Sequence, residues 1–138
     1  MATDKTLTIE PGAWTEEVGE LLAAAAPRGS LADIRAQVES RQAKLYLVKH
    51  DGAPVGAFVL RVDHAHGGDE GVIVAGAGRL PGTDLIETCI PHIETLFQGC
   101  ARIRYHTAKT ALARKLMRQG YAPREIVSTK ELKHVFTA

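Results

Sequence analysis

The sequence is short of aromatics, of cysteine and of charge in excess of either sign. Only three Phe, three Tyr and one Trp occur in 138 residues, so no stacking platform for nucleobases is visible. Seventeen basic and 16 acidic residues give a net charge of +1, which argues against a dedicated nucleic-acid binder. No stretch approaches the ~20 consecutive apolar residues of a membrane helix. The opening MATDKTLTIE lacks the apolar run of a secretory signal, so the expected setting is the reducing cytoplasm. There, Cys89 and Cys100 are expected as free structural thiols rather than a disulfide. Also missing are a Gly-x-Ser-x-Gly elbow, a Walker-type phosphate loop and a cysteine in a nucleophile-like context.

What is present is ordinary globular composition: 45% hydrophobic and 24% charged. The length suits one domain spanning residues 1–138, with enough chain to bury a core without staples. Leu7 and Ile9 alternate with polar neighbours and predict a strand over Lys5–Glu10. Trp14, Val18, Leu21, Leu22 and Ala25 recur at helical spacing. Ser30 is placed to cap a second helix striped by Leu31, Ile34 and Val38. Two β-rich runs, Lys44–His50 and Val55–Val62, flank the turn signal Asp51-Gly52-Ala53-Pro54 and predict a hairpin. A further strand is expected over Glu70–Ala75, followed by a glycine-rich connection over Gly76–Gly82. The next helix starts at Thr83 or Asp84, and Pro91 should kink or split it. Beyond it come a strand over Ala101–His106, a helix over Lys109–Gln119 stopped by Gly120, and one or two terminal strands around 124–127 and 130–136. The order β-α-α-β-β-β-α-β-α-β(-β) predicts an α/β (α+β) domain: a central mixed, mostly antiparallel sheet flanked by helices.

That order resembles the GNAT superfamily of acyl-CoA-dependent N-acetyltransferases over nearly the whole chain. Three segments carry the resemblance: the hairpin LYLVKHDGAPVGAFVLRV from Leu45, the strand-loop-helix from Val72 to Leu96, and ALARKLMRQGY ending in Gly120-Tyr121. The family's cofactor pattern is Arg or Gln, two residues, Gly, one residue, then Gly or Ala. Here it reads Arg79, Leu80, Pro81, Gly82, Thr83, Asp84, so Asp84 replaces the last small residue. The resemblance implies acetyl-CoA as cosubstrate, held by Val74, Ala75 and Gly76 along the strand and by Arg79, Leu80, Gly82, Thr83 and Asp84 at the pyrophosphate. A glycine turn opening a helix suits that anion, through exposed N–H groups and the helix dipole. Asp84 and Glu87 set negative charge at the same end and oppose it. The family's tyrosine and asparagine fall here on Leu116 and Lys109, and a leucine cannot donate a proton.

The residues that could work as acid or base instead are Glu70, opening its strand, and His106, closing the neighbouring one. Tyr105 is a weaker candidate. The implied function is acetyl transfer to an unidentified amine by direct attack; the alternative is an inactive module of this fold that binds CoA or serves assembly. Exposed terminal strands would allow a homodimer. Two other clusters compete for attention. His64, His66, Asp69 and Glu70 have metal-ligand chemistry in a glycine-rich loop, though no metal site is assigned to them. Lys109, Arg114, Lys115 and Arg118, with Arg102 and Arg104 on one strand face, could form a basic patch for a phosphate.

Overall fold

A computed structural model describes residues 7–24, 29–105 and 116–121 of the chain. The chain clusters into two compact units, Met1–Thr107 and Ala108–Ala138. In the first, five strands lie in sequence order: β1 (Leu7–Pro11), β2 (Lys44–His50), β3 (Ala53–Asp63), β4 (Glu70–Gly78) and β5 (Arg102–Tyr105). The first four pair antiparallel, and β5 runs parallel to β4. Three helices accompany them: α1 (Glu16–Ala23), α2 (Leu31–Glu39) and α3 (Leu85–Leu96). Of the strand expected over Ala101–His106, Arg102–Tyr105 forms β5 and His106 lies outside the described residues, as do residues 109–115 of the next expected helix and the terminal strands.

The β2–β3 hairpin closes at Asp51-Gly52, with His50 opposite Ala53. Both turn residues have positive φ, 52° and 82°, as a type I′ turn requires, and its twist matches that of the strands. Across this hairpin Tyr46 pairs with Phe58, their rings stacked at 5.3 Å. Strand alternation then sorts the side chains. Leu45, Ala57 and Val59 face α1 and α2 and pack with Val18, Leu22, Ile34 and Ala43. Burying a side chain such as Leu22 or Val59 contributes roughly 1.5–3 kcal/mol. Val48, Phe58, Leu60 and Ile73 are buried on the opposite face. There α3 buries Cys89, Ile90 and Ile93, with Phe97 beside them.

Three expectations are corrected. Gly76, Ala77 and Gly78 belong to β4 and not to a connection: they pair with Phe58, Ala57 and Gly56. Small residues are poor strand formers alone, but here they let two backbones approach. A Cβ on Gly78 would lie 2.8 Å from both the Gly56 Cα and the Val55 carbonyl oxygen. Pro91 does not split α3, which runs unbroken through it. Pro91 and Glu87 are both exposed, so the carbonyl that loses its helical donor can be hydrated. Ser30 sits at the N-cap of α2, but its backbone is already helical and its side chain makes no capping bond. At α1, Thr15 is the cap, its hydroxyl accepting from the Val18 N–H at 3.2 Å.

Of the second unit, residues 116–118 are helical. The Tyr121 N–H donates to the Leu116 carbonyl and the Gly120 N–H to that of Met117, with Gly120 at φ 95°. This is a Schellman stop, as expected at Gly120. Among the described residues no helix is long and apolar enough to cross a membrane.

Candidate acyl-CoA and acid-base site

The strand that leads into the Gly82 turn is β4. Its register against β5 runs from Glu70 opposite Arg102 to Ile73 opposite Tyr105. From Val74 to Gly78, among the described residues, β4 is paired with β3 alone. Against β3, Val59 pairs with Ala75 and Leu60 with Ile73, so Val74 is the extra residue of a bulge. The bulge follows Ile73, the last β4 residue paired with β5 among the described residues. Val74, Ala75, Gly76 and Ala77 are half-buried. Val74, Ala75 and Gly76, three of the expected contacts, follow one another at the bulge of β4.

The loop leaving β4 carries the other expected contacts. The Arg79 N–H donates to the Val55 carbonyl at 2.9 Å, and the Thr83 N–H to that of Leu80 at 3.0 Å. Gly82 has φ 80°, and nothing lies within 4 Å of where a Cβ would stand. Asp84 is the N-cap of α3: its Oδ1 accepts from the Ile86 and Glu87 N–H groups at 3.1 and 3.2 Å. The side chain that stands where the pattern has a small residue therefore fills helix donors that an anion would otherwise use.

Glu70 lies at the other end of β4, about 13 Å along the strand from Val74 at about 3.3 Å per residue. Its Oε2 accepts from Arg102 Nε at 3.1 Å, and its Oε1 lies 3.4 Å from Arg104 Nε. Glu70 is opposite Asp63 in the β3–β4 register. Asp63 is gripped by Arg61, whose Nε and Nη2 reach its two oxygens at 2.7 and 3.0 Å; Arg104 Nη2 adds a third bond at 3.2 Å. Arg61 also donates to Gln37 of α2 at 2.8 Å. The hydrogen bond and charge of Arg61, with Arg104 and His64 nearby, hold the Asp63 carboxyl below its ordinary range. This network was not anticipated from sequence beyond the shared face of Arg102 and Arg104. Those two arginines engage carboxylates; Lys109, Arg114 and Lys115 of the expected basic patch lie outside the described residues. Arg61-x-Asp63 carries the same period-2 signal, but only the register supplies the partners.

Tyr105 pairs with Ile73 of β4, and burial pushes its phenol up, so it stays protonated at neutral pH. His106, the next residue, lies outside the described residues, as does Lys109. His64 Nδ1 is 2.8 Å from Asp69 Oδ1 in the β3–β4 loop. Among the described residues no group of three His, Cys, Asp or Glu side chains is arranged to hold a metal. Both cysteines are free, and burial pushes the Cys89 thiol up to about 11, leaving it unreactive at neutral pH.

This topology is that of the GNAT acetyltransferases. A ribosomal-protein-alanine N-acetyltransferase from Brucella melitensis superposes with TM-score 0.70 at 17% identity, covering 92% of this chain and 99% of that one. A GCN5-related N-acetyltransferase from Ralstonia eutropha gives 0.69 at 15% identity, covering 91% and 98%. An acetyltransferase from Trypanosoma brucei gives 0.66 at 18%, covering 91% and 99%. No protein-family model and no curated protein sequence matches the chain. The chain has the GNAT fold, with a mixed sheet and flanking helices.

Proposed function

We propose that the protein is an N-acyltransferase that moves an acetyl group from acetyl-CoA to an amine. The observation that carries this reading is the bulge of β4 at Val74, with the Gly82 turn and the N-terminus of α3 following it. A bulge turns backbone groups out of the ladder, where an extended ligand with amide groups can meet them. In this reading Val74, Ala75 and Gly76 align the acyl-pantetheine arm, and Arg79, Leu80, Gly82, Thr83 and Asp84 surround the pyrophosphate.

The amine nitrogen attacks the thioester carbonyl, forming the C–N bond and an oxyanion. The bulged backbone of β4 supplies a donor for that oxyanion. The C–S bond then breaks, and the thiolate takes a proton. Glu70 or His106 accepts the amine proton; Glu70, about 13 Å along β4 from Val74 at about 3.3 Å per residue, does so over a chain of waters. Tyr105, protonated at neutral pH, is the donor available for the thiolate, since Leu116 has no proton to give.

A second reading, a module that binds CoA without turnover, is favoured by the Asp84 carboxylate seated on the α3 donors. Thiol release from acetyl-CoA across an amine panel separates the two. Turnover that falls at least tenfold in both Glu70→Gln and His106→Gln, or in either one, supports the transferase. Binding without thiol release for any amine rejects it in favour of the module.

A further inference from the structure

At the root of the β4–β5 pair two carboxylates face each other directly. Asp63 and Glu70 are cross-strand partners on the α1–α2 face, where like charges destabilise a sheet. Arg104 answers this from the neighbouring strand, reaching Asp63 with Nη2 and Glu70 with Nε. Its Nε is shut off from solvent and makes no hydrogen bond, so it meets the Glu70 carboxylate by charge alone, at 3.4 Å. Arg61 and Arg102 flank the pair, and each carboxylate is shared by two guanidinium groups. Among the described residues β5 is joined to β4 by only four residue pairs in parallel register, the less stable arrangement per residue. An isolated exposed ion pair would add little, but a shared, partly buried network is coupled.

We propose that Arg104 is a positioning residue: by holding Asp63 of β3 and Glu70 of β4 together, it fixes β5 on β4. This rests on the acyl-CoA reading above, because Val74, Ala75 and Gly76, assigned to the thioester, continue the same strand. Without Arg104 the two carboxylates repel, and the first strand to loosen is β5, which has the fewest pairs among the described residues.

The test is amide hydrogen exchange and acetyl-CoA titration on Arg104→Met, Arg104→Lys and the double variant Asp63→Asn/Arg104→Met. Arg104→Met is expected to speed exchange at Ile103 and Tyr105 at least tenfold, leave Leu45 and Val48 unchanged, and raise the acetyl-CoA Kd at least fivefold. Arg104→Lys restores one cation between the carboxylates and recovers part of both losses. The double variant removes the repulsion and exchanges more slowly at β5 than Arg104→Met. Unchanged exchange at β5, or an equal rise across the sheet, overturns the proposal. So does normal acetyl-CoA affinity in Arg104→Met when the wild type binds. If the wild type binds no acetyl-CoA while β5 exchange behaves as stated, the brace stands and the acyl-CoA reading falls.

Discussion

The carboxylate of Asp84 accepts the backbone N–H of Ile86 at 3.1 Å, so the first turn of α3 carries its own anion. The same oxygen takes the Glu87 N–H at 3.2 Å. Cap and ligand would therefore compete for one set of donors. Asp84→Asn keeps a capping oxygen and removes the charge. It is expected to tighten CoA binding severalfold with little change in Tm. Asp84→Ala frees the same donors but loses the cap, at a cost of about 0.5–2 kcal/mol. Calorimetry and thermal melts on both variants check this; affinity that falls in Asp84→Asn would show the carboxylate to be a ligand contact instead.

Gly82 tests the pyrophosphate cradle from the other side. At φ 80° a side chain is strained, although the space around a Cβ is open. Gly82→Val should cost on the order of 1–2 kcal/mol in unfolding free energy, the usual penalty for a left-handed L-residue. It should weaken acetyl-CoA binding about tenfold by shielding the backbone. Stability and affinity are measured separately, by denaturant melts and titration. An unchanged Kd places the anion elsewhere.

Gly71 is a packing position. A Cβ there would stand 2.5 Å from Phe97 Cγ, at the end of α3. Gly71→Ala must push the ring away and should destabilise the protein by about 1–3 kcal/mol, as overpacked cores do. Urea unfolding reads this directly. Pairing the substitution with Phe97→Leu should recover part of the loss.

Asp63 sets an acid limit on stability. Its carboxyl is held low chiefly by the hydrogen bond from Arg61, so its folded pKa lies below its unfolded one. The stabilisation is fully present above the unfolded value and is lost as pH falls through the folded one. Wild type should lose stability through the acidic range, and Asp63→Asn should lose the part of that slope due to this group. Urea midpoints at stepped pH make the comparison. Parallel slopes in the two proteins would contradict the assignment.

How much of this was legible in the sequence depends on how local the cause is. Asp51-Gly52 dictates its own turn, and Gly120 its own helix stop, so both could be read in advance. The last third of β4 could not. Gly76, Ala77 and Gly78 have no strand propensity to speak of, and only their partners on β3 make them a strand. Pro91 carried a correct local rule, but α3 accommodates it with the affected turn in solvent. At the candidate site the Gly82 turn and the capping Asp84 were visible as residues. The pairing of Asp63 with Glu70 and the reach of Arg104 were not, because they depend on the β3–β4–β5 register.

The most direct test of the acyl-CoA reading is calorimetric titration of the metal-free protein with acetyl-CoA, with CoA as the control. The reading predicts saturable binding at one site per chain, weakened in Gly82→Val. No heat of binding at millimolar ligand would contradict it, leaving the GNAT fold in place and pointing to a macromolecular partner.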